Sequence, residues 1–346
     1  MRILNSFLIK DAHIALPSVK SKAQGLCSWA FLLGFSMSIA KQLASKLGTS
    51  EAEITALLLR APLHYKVYKI PKRTFGERTI AQPSAALKAL QRAFLELHPL
   101  PVHSAAMAYR FGLSIKDNAQ KHQKNSYLLK MDLNSFFNSI DPLIFWGEWN
   151  SFFEPPDANE KKLIERLLFW APSKKLYSSL MLSVGAPSSP CVSNFVMHRF
   201  DTKLDLLCRD KKIIYTRYAD DLTFSTQSQG VLIDMPELIA NLLVECFGAA
   251  LTVNRRKTVF SSKAHNRHVT GITLTNDAQL SLGRKRKRYI KHLVHQFILG
   301  QLAAEDVNHL RGLLSFAKHI EPVFIYALEK KHGPEVLAAI NEVNHD

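Results

Sequence analysis

The sequence has few cysteines, and none is placed for a disulfide framework or a zinc site. Cys27, Cys191, Cys208 and Cys246 form no C-x-x-C pair and match no spacing typical of zinc ligands. Isolated cysteines of this kind indicate reduced, mostly buried thiols. The pattern therefore excludes a small disulfide-stabilised secreted protein and predicts a cytoplasmic one.

The sequence also lacks a hydrophobic run long enough to cross a membrane. Its most apolar stretch, residues 26–40, is shorter than the roughly 20 residues that a membrane helix needs. It begins far from Met1, and Lys41 and Lys46 follow without a clear cleavage site, which argues against a signal peptide. Apolar residues at i+4 spacing instead predict a packed helix: Phe31, Phe35, Ile39, Leu43 and Leu47. We expect no membrane partner.

Acidic residues are scarce relative to basic ones. The 346 residues include 29 Asp and Glu against 45 Lys and Arg, which gives a formal net charge of +16. A strongly basic chain is typical of nucleic-acid-binding proteins, and membrane-surface binding is the weaker alternative. The hydrophobic content of 47% is that of a globular protein, and the length allows two or three domains.

The acids that are present include an adjacent pair, Asp220 and Asp221, between two strand-like runs. Residues 213–215 predict one strand and residues 222–225 its return, so residues 218–221 form the turn of a hairpin. Side chains alternate along a strand, so the two acids face the same way only if the turn re-aims one. Two such close charges repel, and a bound Mg²⁺ ion would remove that cost. The alternative is a solvated Asp-Asp turn.

A third acid, Asp132, ends an apolar strand that starts at Tyr127. An acid at a strand end beside a hairpin with two more acids predicts a three-carboxylate site. Two metal ions held about 3.5–4 Å apart can activate a hydroxyl group and stabilise a leaving pyrophosphate.

The Tyr-Ala-Asp-Asp turn and the upstream Asp132 resemble the palm motifs of reverse transcriptases. The resemblance implies an α+β right-hand polymerase fold with fingers, a palm containing an antiparallel sheet, a helical thumb and a helical N-terminal extension. It implies Asp132, Asp220 and Asp221 as catalytic residues. Together with Leu133 they would bind two Mg²⁺ ions, and deoxynucleoside triphosphates would be the substrates.

A basic hairpin precedes these motifs. Strand-like residues flank Gly76 within residues 65–80, and Lys72, Arg73 and Arg78 lie near the predicted tip. A solvated basic loop is one interpretation. The pattern also resembles the fingers motif of reverse transcriptases, which implies that Lys72 and Arg78 bind the triphosphate.

Further nucleotide contacts follow from the same resemblance. Phe137 stands five residues after Asp132, where the family has a steric gate against the ribose 2′-OH. A G-x-P-x-S-P-x-x-S-N string begins with Gly185 and Pro187 and matches a family motif, although Val184 replaces a glutamine found in many relatives. Lys257 lies where the family has a lysine near the triphosphate; a charged surface turn is the competing interpretation.

Two short elements are similar to those of retron reverse transcriptases. Asn118 and His122 form an N-A-x-x-H element before the first catalytic strand, and Val269, Thr270 and Gly271 form a V-T-G element. On the residues alone, the first predicts a polar helix and the second a strand containing a glycine. The resemblance implies that these residues bind the retron's own structured RNA, and it separates the chain from group II intron relatives.

A run of five basic residues opens the last segment, before an amphipathic helix at residues 309–317 that resembles the family's thumb. Such a run is often a solvated helix face, but in this setting we expect it to neutralise RNA phosphates. The run consists of Arg284, Lys285, Arg286, Lys287 and Arg288. Neither a ribonuclease H acidic cluster nor a Cys/His endonuclease tail is recognisable after it.

Together these elements predict four regions: an N-terminal helical region at 1–62, fingers at 63–131, palm at 132–275, and thumb with an RNA-binding region at 276–346. The resemblance implies reverse transcription of a cognate noncoding RNA into branched RNA–DNA, primed from an RNA 2′-OH, beside an effector protein in anti-phage defence. Alternatives are a group II intron-like reverse transcriptase, an RNA-dependent RNA polymerase, and a non-catalytic protein that binds nucleic acid through a helix-turn-helix at residues 47–58.

Overall fold

The computed structural model describes residues 37–71, 76–175 and 177–342. Helices and antiparallel strands pack around two apolar cores, which confirms the α+β class. The predicted helix positions Phe31 and Phe35 lie outside the described residues. In this part of the chain no helix is long and apolar enough to span a bilayer.

Two N-terminal helices, α1 (Ile39–Leu47) and α2 (Glu51–Arg60), pack on the first core. Gly48 ends α1 in a left-handed conformation with φ 68°, and a capping box between Ser50 and Glu53 starts α2, as the sequence predicts. Leu43 and Leu58 are fully buried where the two helices meet the rest of the core. The helix pair of the suggested helix-turn-helix is thus part of the globular core.

The predicted basic hairpin is present. Strand β1 (Tyr65–Pro71) pairs antiparallel with β2 (Glu77–Pro83), and Gly76 has φ 86° at the start of the return strand. Lys72 and Arg73, which the sequence predicts near the tip of this hairpin, lie outside the described residues. Helix α3 (Ala85–Leu97) follows directly, with Ser84 capping its first turn.

A four-stranded antiparallel sheet lies at the centre of the molecule. Its strands in spatial order are β4 (Ile214–Tyr218), β5 (Asp221–Thr226), β3 (Tyr127–Asp132) and β6 (Val259–Ser262). Because all of β3 belongs to this sheet, the expected boundary between fingers and palm at 131/132 would cut a strand, and we place it before Tyr127.

The first core covers one face of this sheet. Leu129 and Met131 of β3 point into it, and an aromatic cluster containing Phe145, Trp149 and Phe195 continues it. The covering helices are α5 (Pro142–Trp149), α6 (Ala158–Leu168), α7 (Ser189–Val196), α8 (His198–Asp210) and α9 (Met235–Phe247). Helices α7 and α8 are consecutive and meet at Met197.

The second core joins a small sheet to the C-terminal helices, and Leu128 of β3 packs against it. Its sheet contains β7 (Arg267–Val269), β8 (Ile272–Leu274) and β9 (Leu280–Ser281). Its helices are α10 (Arg284–Ile298), α11 (Ala304–Ile320), α12 (Pro322–His332) and α13 (Pro334–Glu342). The expected boundary between palm and thumb at 275/276 falls inside this sheet, between β8 and β9.

Helix α4 (Ile115–His122) lies between the two cores. It contacts β4 of the central sheet on one side and strands β7, β8 and β9 on the other. Its first turn carries a capping box between Ser114 and Asp117. The helix thus links the central sheet to the C-terminal unit.

Candidate active site

Strand register brings the three aspartates together at one end of the central sheet. Asp132, the last residue of β3, pairs directly with Asp221, the first residue of β5. Asp220 lies in the turn between β4 and β5, and its carbonyl oxygen accepts a hydrogen bond from the Leu133 backbone N–H at 3.1 Å. The pair of acids and the upstream acid are therefore neighbours, as the sequence predicts.

The turn re-aims the aspartate pair through an unusual backbone conformation. Tyr218 and Asp221 form the closing pair, so Ala219 and Asp220 are the two turn residues. Ala219 has φ 59°, a left-handed value that costs a residue with a β-carbon on the order of 1 kcal/mol. This conformation breaks the strand alternation that would otherwise turn the two acids to opposite faces.

The acids influence one another's ionisation. Burial, followed by the charges of Asp220 and Asp132, raises the pKa of Asp221 to about 6. Burial is also the main reason that the pKa of Asp220 is raised, and the charge of Asp132 adds to it. Clustered carboxylates in this condition favour a bound divalent cation, and oxygen ligands of this type suit Mg²⁺.

Asp132 is engaged by a cation of the chain itself. The Lys257 ammonium group donates to one Asp132 carboxylate oxygen at 2.7 Å, and the Asn254 side-chain amide donates to the other at 3.2 Å. No set of three or more His, Cys, Asp or Glu side chains in the described ranges is already arranged around an ion position. The donors fit Mg²⁺ in type, but Asp132 has to release Lys257 to take part. The Leu133 side chain is buried, so only its backbone carbonyl could reach an ion.

A buried arginine supports the turn between β4 and β5. Arg217, two residues before Ala219, is fully buried and forms an ion pair with the buried Asp201 of α8, at 2.7 Å. Its guanidinium group also donates to the Asn194 side chain and to the Ala219 carbonyl oxygen, each at 3.1 Å. The Tyr215 hydroxyl donates to the same Asp201 carboxylate at 2.7 Å. The turn is therefore tied to α7 and α8 through one side chain.

Four of the six nucleotide residues predicted from the sequence line one cleft of about 370 Å³. Arg78 of β2, Phe137 of the short 3₁₀ turn Phe136–Ser139, Gly185 and Pro187 all line it. Gly185 has φ 128°, and a β-carbon there would lie 3.1 Å from the Ala81 carbonyl oxygen of β2, so a side chain at this position would be strained. Lys257, which is expected near the triphosphate, pairs with Asp132 in this structure.

Val184 joins the cleft wall to the fingers hairpin. Its carbonyl oxygen accepts a hydrogen bond from the Ala81 N–H at 3.0 Å, and the Ser183 hydroxyl donates to the Ala81 carbonyl at 2.8 Å. The Val184 main chain is thus fixed to β2 whatever its side chain. The presence of valine in place of glutamine therefore changes only the side chain that faces the cleft.

Sequence reasoning missed two basic residues of the cleft. Lys88 and Arg92 lie four residues apart on α3 and line the cleft together with Phe137 and Pro187. Their i,i+4 spacing, on a helix that directly follows the basic hairpin, was a usable signal. With Arg78 they give the cleft a positive wall.

Comparison with known proteins agrees with this geometry. Residues 70–274, more than half of the chain, match the family described as reverse transcriptase (RNA-dependent DNA polymerase). The chain is 50% identical over 286 residues to the Retron Ec83 reverse transcriptase of Escherichia coli, covering 82% of this chain and 91% of that protein. It is 32% identical to the Retron Ec73 reverse transcriptase of the same species, covering 81% and 90%.

The chain belongs to the retron reverse transcriptases. It is an RNA-directed DNA polymerase with the right-hand fold that the sequence predicted. Among solved structures, a telomerase from Candida albicans in complex with a telomeric RNA fragment aligns with TM-score 0.45 and 13% identity, covering 76% of this chain and 55% of that one. That likeness is too distant to support any further argument.

The N-A-x-x-H element of this reverse transcriptase is buried in the palm. Asn118 and His122 are both 0% exposed. The two ring nitrogens of His122 lie 2.7 Å from the hydroxyls of Thr216 and Ser225, and Thr216 donates to the Asn118 side chain at 2.6 Å. Burial lowers the pKa of His122 to about 3, so the ring is neutral. These buried side chains connect α4 to β4 and β5 and reach no surface that RNA could contact. The prediction that they bind RNA directly is therefore wrong.

The V-T-G element is a hairpin turn rather than a single strand. Val269 pairs with Ile272, and the two turn residues Thr270 and Gly271 have φ 47° and 80°. Two positive values are typical of a type I′ turn, for which glycine is suited and threonine is not. The Thr270 hydroxyl donates to the Ile115 carbonyl of α4 at 3.1 Å, which anchors the turn. Val269 is buried, whereas Gly271 is exposed, so RNA could reach only the turn itself.

The basic run forms the first turns of α10, and its members differ in their surroundings. Lys287 forms an ion pair with Glu321, and Arg286 lies over the Phe316 ring at 5.0 Å. Arg284, Lys285 and Arg288 are exposed and join no ion pair within the described ranges. Only part of the run is therefore free to contact RNA.

We predict that Asp201→Asn destabilises this enzyme by about 3–5 kcal/mol, because it leaves Arg217 buried without a counter-ion. Chemical denaturation followed by circular dichroism measures the loss. Asp205→Asn is the matched control on the same helix, since it removes only the i,i+4 pair with Arg209, whose side chain is 68% exposed. That change should cost under about 1 kcal/mol. Equal losses in both variants would contradict the role assigned to the buried pair.

Proposed function

We propose that this retron reverse transcriptase copies its cognate noncoding RNA into branched RNA–DNA, starting from a 2′-OH of that RNA. The observation that carries the proposal is the direct pairing of Asp132 with Asp221, with Asp220 in the adjoining turn. These three residues are the proposed catalytic acids. Membership of the retron family supports the choice of template.

Asp132, Asp220, Asp221 and the Leu133 carbonyl are the proposed ligands of two Mg²⁺ ions. When bound, such ions lower the pKa of the attacking hydroxyl and stabilise charge on the phosphoryl group and the pyrophosphate. The chain's own part is to hold the acids close together in a partly buried site. Lys257 balances their charge and, once Asp132 is released, can contact a triphosphate oxygen.

The cleft beside the acids is the proposed deoxynucleoside triphosphate site. Arg78 and Lys72 contact the triphosphate, with Lys72 outside the described residues. Phe137 excludes a ribose 2′-OH, and the backbone at Gly185 and Pro187 lies against the base and sugar. The positive wall of Arg78, Lys88 and Arg92 supports an anionic ligand at this position.

The retron RNA and the RNA–DNA product are the proposed macromolecular partners. Their proposed binding surface is the exposed part of the α10 run together with the turn at Thr270 and Gly271. Asn118, His122 and Val269 support this surface from inside. An effector protein, a role in anti-phage defence and a cytoplasmic location belong to the same proposal and rest on the family alone.

We predict that changing Arg284, Lys285 and Arg288 together to Gln weakens RNA binding and lowers the slope of log affinity against log salt by about 2–3, because each lost phosphate contact removes roughly 0.7–0.9. Fluorescence anisotropy with the cognate RNA at several salt concentrations measures the slope. The matched control changes Lys161, Lys162 and Lys203, on α6 and α8, to Gln with the same loss of charge. An unchanged slope in the α10 variant, or an equal change in the control, would exclude this surface.

The main test is DNA synthesis by the purified enzyme co-expressed with the RNA encoded beside it. We expect Mg²⁺-dependent branched DNA that is sensitive to ribonuclease. The double change Asp220→Asn and Asp221→Asn should abolish it, because both proposed metal ligands are neutralised. The control is Asp234→Asn with Glu237→Gln, two exposed acids beside or on α9, and it should retain synthesis.

The outcomes separate the alternatives. Synthesis only from an added primer would leave polymerase activity but contradict priming from an RNA 2′-OH. Full synthesis by the Asp220 and Asp221 variant would contradict the assigned site.

A further inference from the structure

Tyr109 lies at the proposed nucleotide cleft in a backbone conformation that tyrosine rarely adopts. Its φ is 60°, in the left-handed region, where a bulky side chain is disfavoured. The residue lies in the loop before α4, and its ring is half exposed. Strain of this kind persists where the surrounding structure imposes it, and it is frequent at functional sites.

The surrounding structure does impose it. On the preceding side, the Ala108 carbonyl accepts a hydrogen bond from the Asn194 side chain at 2.9 Å, and the Met107 N–H donates to the Arg217 carbonyl at 2.7 Å. On the following side, the Arg110 guanidinium group donates to the Ala106 carbonyl at 3.2 Å. The backbone at Tyr109 is thus fixed to the palm next to the catalytic turn.

This fixed backbone places the Tyr109 ring against Phe137. The two ring centroids are 6.4 Å apart and the ring planes make an angle of 63°, an edge-to-face contact. Phe137 has a second edge-to-face contact, with the buried Phe136 at 5.5 Å. Phe136 therefore supports the Phe137 ring from the core, and Tyr109 supports it at the cleft, which both Tyr109 and Phe137 line.

We infer that Tyr109 is a specificity-determining residue that holds the Phe137 ring in place against the sugar of the incoming nucleotide. The inference rests on the proposed role of Phe137 as the gate. A gate rejects a 2′-OH only if its ring cannot move aside, because a small displacement would admit the extra oxygen atom. Tyr109 supplies that restraint at the cleft, where the core cannot.

The test is single-nucleotide insertion of dGTP and of GTP opposite a template cytosine on a primed RNA. The quantity compared is the ratio of kcat/KM for dGTP to kcat/KM for GTP. Tyr109→Ala should lower this ratio about tenfold or more, mainly through a lower KM for GTP. Tyr109→Phe should keep it within about twofold, because it retains the aromatic ring that packs against Phe137.

Two further variants distinguish the loss of the Tyr109 ring from other effects of the substitution. Tyr109→Asn removes the ring but tolerates the left-handed backbone better than Ala does, so it should give the same loss of discrimination without added strain. Phe111→Ala is the matched control, because this aromatic residue of the same loop is fully exposed. It should leave the ratio unchanged.

Phe137→Ala distinguishes failure of the inference about Tyr109 from failure of the proposed gate. A wild-type ratio in both Tyr109→Ala and Tyr109→Asn, with a lowered ratio in Phe137→Ala, overturns the inference while leaving the gate. An unchanged ratio in Phe137→Ala overturns the gate and the inference together. Failure of the wild-type enzyme to insert dGTP overturns the proposed function itself, and the inference with it.

Discussion

The buried ion pair between Arg217 and Asp201 is the contact on which the catalytic end of this enzyme depends. Neither charge has access to water, so each is tolerated only because hydrogen bonds compensate for the lost solvation. Arg217 makes these bonds to Asp201, Asn194 and the Ala219 carbonyl. Its own backbone pairs with residues 105–107. One residue thus joins α7, α8, the loop that carries Tyr109 and the turn that carries the catalytic acids.

Helix α4 has a similar role between the palm and the C-terminal unit. It presents Asn118 and His122 to the hydroxyls of the central sheet, while its other side packs on the small sheet that contains the V-T-G turn. The two elements that resemble retron motifs are therefore in contact through one helix. The Thr270 hydroxyl donates a hydrogen bond to the backbone of α4, so the two elements are directly linked.

The sequence was sufficient to predict the parts that depend on local pattern. The fingers hairpin, the strand ending at Asp132, the hairpin with Asp220 and Asp221, and the capping box at Ser50 are all present. The positions of polar side chains in the tertiary structure could not be read in this way. Asn118 and His122 are polar residues on a polar helix, and nothing in their spacing shows that they form hydrogen bonds with hydroxyl groups of two distant strands in the core.

The side chains that support the proposed active site could not be predicted from the sequence either. Arg217 reads as a charged residue in a strand, and its partner Asp201 lies sixteen positions earlier on a helix, so only the packing of α8 under the turn reveals the pair. Tyr109 gave no signal either, since its left-handed backbone follows from hydrogen bonds that the residues before it form with Asn194 and Arg217. The helix break at Met197, between α7 and α8, could not be predicted either, because no glycine or proline lies at this position.

Arg217 supports the turn that carries two of the proposed metal ligands, and Arg217→Lys tests the importance of this support most directly. Lysine keeps the charge beside Asp201 but cannot reach Asn194 and the Ala219 carbonyl at the same time. The measurement is the Mg²⁺ concentration for half-maximal DNA synthesis, with Arg267→Lys as control, since buried Arg267 contacts only the carbonyls of Asn125 and Thr275. We predict about a tenfold increase for Arg217→Lys and little change for the control. An unchanged Mg²⁺ requirement in a folded Arg217→Lys enzyme would contradict the account.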